Sequence, residues 1–148
     1  MIRLIEALRL LLNDTDVSGV SAFQALLSTY EFATGTSSPS IHTGRIVPDD
    51  ASCPLVLIKE RDGDQWDTLG NLGEELHADV IIQGDKDTNI DTLRDISWKA
   101  QAILHHASIG SYLDDREDHG VWASAPETYT DGRGFPGFTV SVKALMLA

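Results

Sequence analysis

The stretch Glu75-Leu76-His77-Ala78-Asp79-Val80-Ile81-Ile82-Gln83, the break Gly84-Asp85-Lys86-Asp87, and the run that begins Asn89-Ile90-Asp91-Thr92-Leu93 carry both periodicities of a mixed fold. Up to Gln83 the side chains alternate. Leu76, Ala78, Val80 and Ile82 fall on one side, and Glu75, His77, Asp79 and Gln83 on the other, joined by Ile81. That pattern predicts a strand with one face on a core and the other toward water or a partner. Beyond the break, Ile90, Leu93, Ser97, Ala100, Leu104 and Ala107 recur at helical spacing, widened by Ile96 and Ile103. Residues 89–107 are therefore expected to form one helix, the main lid of the core. Thr88 or Asn89 can cap it, and Asp91 and Asp95 suit its early turns, where free N–H groups attract negative charge. His105 and His106 fall at the opposite end, where the dipole favours any positive charge they carry.

Upstream, Leu55-Val56-Leu57-Ile58 is a compact apolar run of strand length, and residues 41–47 read as a short strand ended by Pro48. Residues 61–70 hold Gly63, Asp64 and Gly70 and read as a hairpin loop or projecting arm. At the start, Ile2, Ile5, Leu8 and Leu12 keep helical spacing, widened by Leu4 and Leu11, so residues 1–12 predict a helix stopped by Asn13-Asp14-Thr15-Asp16. In residues 20–32, Phe23, Leu26, Leu27 and Tyr30 could line a helix, with short strands as the alternative. Residues 34–40 read as a loop. Downstream, 108–120 is polar and acidic, 121–130 reads as a strand, and Asp131-Gly132-Arg133-Gly134 turns it into a closing strand, 138–147. The sum is α+β: a single domain over residues 1–148, an antiparallel or mixed sheet with the N-terminal helix and one long central helix packed on one face.

The chain has 148 residues, with 23 acids against 11 bases and a formal net charge of −12. Counterion release needs clustered Lys and Arg, and no such cluster occurs, so tight nucleic-acid binding is not expected. The acids concentrate between Glu60 and Asp95 and in Asp114-Asp115-Arg116-Glu117-Asp118. They suit a solvated surface, or one that repels nucleic acid passing close by. No apolar run reaches membrane-span length, and the first residues lack the basic start of a secretory signal, so the expected site of folding is a cytoplasm. Cys53 is the one cysteine, which excludes an internal disulfide. Beside Pro54 and an apolar run, it is expected to be a small buried side chain.

Motifs that would carry chemistry fall short. Asp62-Gly63-Asp64 places Trp66 where a third calcium ligand belongs, and Asp85-Lys86-Asp87-Thr88-Asn89 has Ile90 at the glycine position and Ile96 at the glutamate position. His77 and Asp79 share a strand face, but two ligands are too few for structural zinc. No G-x-S-x-G elbow occurs, and Gly70-Asn71-Leu72-Gly73 lacks the Lys and Ser/Thr of a phosphate cradle. No catalytic residue, metal or cofactor is expected. Trp66, in an Asp/Gly-rich loop, is a candidate interface anchor or folds back on its own domain. Trp98 lies off the apolar stripe of its helix, covering the stripe's edge or meeting a neighbouring subunit.

The order of these segments resembles the tail-terminator or tail-completion (head–tail joining) proteins of long-tailed bacteriophages. The likeness is carried by residues 1–12, by Gly44-Arg45-Ile46-Val47-Pro48 leading to Cys53-Pro54-Leu55-Val56-Leu57-Ile58, by strand 75–83, by helix 89–106 and by the closing strand. The resemblance implies a subunit of a homo-oligomeric ring, commonly a hexamer, in the tail or neck of a virion and made in the host bacterial cytoplasm. Such a ring ends tube polymerisation and has itself, the tail-tube protein and a head–tail connector or stopper protein as partners. DNA would pass through its acidic lumen without specific binding, and no membrane is involved. Glu75, His77 and Asp79 then mark a candidate lumen or subunit-interface face, with Trp66 and Trp98 as candidate interface anchors. Another neck component, a stopper or adaptor, is the close alternative. A small cytoplasmic enzyme or ligand-binding domain is the distant one, and a deep pocket with convergent polar groups would favour it.

Overall fold

The computed structural model of the chain describes residues 4–44, 47–68, 71–113 and 118–147, with the backbone alone at 62–68, 71–74, 118–119 and 147. Its centre is a six-stranded sheet. The strands are β3 (Ile41–Thr43), β4 (Leu55–Thr68), β5 (Asn71–Gln83), β6 (Asp118–Ala123), β7 (Glu127–Thr130) and β8 (Pro136–Leu147). Their order is β3-β4-β5-β8-β6, with β7 also pairing β8. Among the described residues only β3 and β4 run parallel, so the sheet is mixed. A separate hairpin joins β1 (Thr29–Ala33) to β2 (Thr36–Pro39).

Among the described residues, three α-helices complete the fold, α1 (Leu4–Asn13), α2 (Val20–Gln24) and α3 (Ile90–Leu104), with one 3-10 turn at Gly110–Tyr112. α1 buries Leu4, Ile5, Leu8, Leu11 and Leu12, and α3 buries Leu93, Ile96, Ser97, Ala100, Ile103 and Leu104. Both cover the sheet face formed by Val56 and Ile58, by Ala78, Val80 and Ile82, and by Val140, Val142 and Ala144. Burial of alternate residues on each strand fixes the register, because a slip of one residue would turn this set into water. Gly137 lets β8 lie close to β5: a Cβ there would stand 2.5 Å from the Ile82 carbonyl oxygen.

The α+β class, the mixed sheet and the helical layer on one face are as the sequence predicts. The arm is also there, since β4 and β5 extend as a long hairpin whose backbone pairs Trp66 with Gly73. Four local expectations are corrected. Residues 34–40 are not a loop, because β2 pairs with β1 across the Thr34-Gly35 turn. The Glu31 carboxylate accepts the Gly35 N–H at 2.7 Å and tightens that turn. Residues 20–32, for which a helix and short strands were both open, are not among these, since they divide into a short helix and a strand. Residues 121–130 are two strands, parted at Ser124-Ala125-Pro126, where proline removes a ladder donor. Finally, α3 stops at Leu104. His105 takes an extended conformation, and the His106 N–H donates to the Val121 carbonyl at 2.8 Å. Ile90, at the first position of α3, is exposed rather than part of the buried stripe. The acidic residues Asp114 to Glu117 lie outside the described residues.

Candidate functional site: the outer face of the sheet

Opposite the helices, the sheet presents the alternate residues of each strand. Glu75, His77 and Asp79 of β5 stand there together, as their spacing predicts, each half-buried. Two of the three bond one another: His77 Nε2 lies 3.0 Å from Glu75 Oε1. Asp79 instead meets β4 and β8, with Arg61 Nη1 at 3.3 Å and the Ser141 hydroxyl donating at 3.3 Å. The pairing register adds what one strand cannot reveal. Lys59 lies opposite Asp79, while Arg61 and Lys143 flank His77 from its two sides. Two acids on β5 are thus bordered by three bases, and this strip is a mosaic of both signs rather than an acidic wall.

The same face deepens at one end into a cavity of about 670 Å³. Its floor is Leu55, Leu57 and Ile81, which are buried although they point away from the helices, together with Gln83. One wall is the segment 47–53, and the other is the β7–β8 turn with Tyr129, Asp131, Arg133 and Phe135. The turn is held by Asp131. Burial alone would raise its carboxyl, but the N–H groups of Phe135 and Arg133 and the Arg133 guanidinium hold it below the usual range. On the rim, the Thr88 hydroxyl and the Asp87 N–H hold Asp85 low in the same way. The oxygens of Asp85 are therefore engaged within its own turn. Cys53 lines the cavity half-buried, and its thiol is pushed up chiefly by burial and further by Asp85, so it is a poor nucleophile. The sequence signal for this cavity is the apolar parity of Leu55, Leu57 and Ile81 on a face that is otherwise polar.

One pair has the outline of an acyl-transfer site. Ser40 Oγ lies 2.7 Å from His42 Nε2. Both are buried, and the Tyr30 and Phe32 rings lie against the imidazole, each centroid 5.1 Å away. No substrate carbonyl can reach that hydroxyl, so the pair secures the β1–β2 hairpin to β3. Among the described residues, no three of His, Cys, Asp and Glu group as metal ligands, and no helix is long and apolar enough to cross a membrane.

Two tryptophans stand out from the surface. Trp98 is half exposed on α3, one turn before Gln101, whose amide donates to the Ala123 carbonyl of β6 at 3.2 Å. Trp122 of β6 is 37% exposed on the outer face, under the Lys143 ammonium, which lies 5.3 Å from the ring centroid. Gly120, at φ +134°, makes room for that ring. The side chain of Trp66 lies outside the described residues. Trp98 and the Glu75–His77–Asp79 strip are not brought together, because α3 covers the opposite side of the sheet. Trp122, which the sequence reading did not select, is the tryptophan that shares the strip's face.

No family model matches the chain, and no curated protein matches it. A solved structure does share its fold: a chain from the virion of a native gene transfer agent particle. The two superpose with a TM-score of 0.63 over 98% of this chain and 95% of the other, at 13% sequence identity. At that identity the likeness is one of fold.

Proposed function

We propose that this chain is a structural protein of a phage-like particle: a tail terminator that forms a ring at the head-proximal end of the tail tube. The ring, a hexamer in this reading, ends tube polymerisation and joins the tail to the head connector, with DNA passing through. The observation that carries the proposal is the end-to-end fold likeness to a chain found in a virion particle. Coverage of nearly the whole of both chains makes it a likeness of the whole described fold rather than of a shared motif. The exposed tryptophans and the charge mosaic of the outer face supply contact surface of the kind that assembly needs. The buried Ser40–His42 pair and the suppressed Cys53 thiol argue for a role by geometry rather than by catalysis.

Removal of the gene from a producing strain tests this directly, with tail lengths read by electron microscopy. Tubes of uncontrolled length are expected. Tails of normal length that fail to join heads would move the protein to the stopper or adaptor position, and normal particles would overturn the reading. The cavity favours a second reading, a ligand-binding domain. Native mass spectrometry of the purified protein would reveal a retained small molecule, and its absence would leave the structural role unopposed.

A further inference from the structure

β6 ends the sheet, and among the described residues only one of its two sides is paired with a strand, β8. An unpaired strand edge offers bare N–H and C=O groups to any other strand. Here that edge is closed from within the chain. The His106 N–H donates to the Val121 carbonyl at 2.8 Å. The Ala123 N–H donates to His105 Nδ1 at 3.1 Å, and the Gln101 side-chain amide donates to the Ala123 carbonyl at 3.2 Å. The turn that follows α3 thus stands where a further strand would lie. His106 takes φ +63° to do so, a left-handed conformation that residues with a side chain rarely adopt.

One of these bonds depends on protonation. A backbone N–H can only donate, so His105 Nδ1 is the unprotonated nitrogen of its ring. In an imidazolium both nitrogens carry a proton, and turning the ring over restores no acceptor. The Ala123 N–H would then lose its partner. Two further influences act at the same place. The C-terminal end of α3 attracts positive charge, which is the form that the Ala123 bond excludes. The His106 ring lies against that of His105, with centroids 3.9 Å apart, so two charged rings would repel. Among the described residues His106 is the titratable side chain in contact with His105, while Gln101 and Ala123 are neutral. Asp118 and His119 also belong to β6, with side chains outside the described residues. We infer that His105 is an acid-released latch on the free edge of β6. At neutral pH the edge is closed. As pH falls through the range in which imidazoles take up a proton, the turn at His105-His106 lets go and the border of the sheet becomes open backbone.

Amide exchange followed residue by residue by NMR tests the latch on the folded protein. From about pH 7.5 to about pH 5, corrected for intrinsic exchange, protection of the Ala123 and His106 amides should fall about tenfold. Protection of Val80 and Val140 in the central sheet should hold. His105→Asn keeps an acceptor near the Nδ1 position and cannot titrate, so it should retain protection at Ala123 without the pH dependence. The response should persist in His42→Gln, which removes the buried imidazole of β3, and in Asp118→Asn with His119→Asn. The ring-nitrogen shifts of the unsubstituted protein give a second measurement. His105 Nδ1 should be unprotonated at neutral pH and take up its proton as the Ala123 amide opens. A protonated Nδ1 at neutral pH would overturn the inference. So would protection at Ala123 that does not change with pH, that is lost equally in His105→Asn or at Val140, or that stops responding in His42→Gln or in the β6 double variant.

Discussion

His42 shows how a single buried side chain ties solution conditions to structure. Burial lowers its pKa below the ordinary 6.5, against a smaller upward pull from Asp50, so the ring is neutral at pH 7. The unfolded chain protonates near 6.5, and the folded one only at lower pH. The contribution of His42 is therefore complete above about pH 6.5 and is lost as pH falls from there through the folded value. Melting temperature should drop between pH 7.5 and 5, and His42→Gln should flatten that slope as well as lower the curve. A variant with the wild-type slope would remove His42 as the cause. Because Tyr30 and Phe32 lean on the same ring, amide exchange in the β1–β2 hairpin should accelerate before exchange in the central sheet. At this scale the sequence was legible where a side chain answers to its own element. Trp98 lies off its buried stripe, as its spacing indicates, and the structure finds it exposed. Trp122 was not legible, since its exposure depends on β6 being an edge strand and on Gly120 beneath it.

Among the elements, α3 has the clearest start signal. The sequence left Thr88 and Asn89 as alternative caps, and the structure divides the work between them. The Asn89 side chain accepts the Asp91 N–H at 2.8 Å, while the Thr88 hydroxyl serves Asp85 in the preceding turn. Asn89→Ala should therefore cost about 1 kcal/mol in urea denaturation, with less effect from Thr88→Ala on the helix as seen by amide exchange in its first turn. An equal loss of first-turn protection from both would refute the division. The same contrast explains which elements could be read. α1, α3, β5 and β8 each bury one face, so burial wrote a period into them. β1 and β2 are mostly exposed and rest on backbone pairing, which leaves no apolar period in Thr36-Ser37-Ser38-Pro39. The cavity was illegible for another reason. Its walls come from residues 47–53, 81–85 and 129–135, which only the fold brings together.

For the molecule as a whole, charge opposes association. Six subunits at −12 would carry 6 × −12 = −72. Screening extends only about 10 Å at 0.1 M salt, so repulsion between copies is long-ranged in dilute buffer and short-ranged above it. Light scattering should show assembly strengthening from low to moderate ionic strength. A steady weakening would mean that interfacial ion pairs outweigh the net charge. β8 sets a different condition on the molecule. It follows every other strand in the chain, yet it is the one that joins β5 to β6 and β7. On a translating ribosome, β5 is finished 64 residues before β8, since 147 − 83 = 64. At about 5–20 residues per second, that leaves a bare hydrogen-bonding edge for several seconds. The nascent chain has to be shielded through that interval, so demand for chaperones during synthesis is built into the order of the strands.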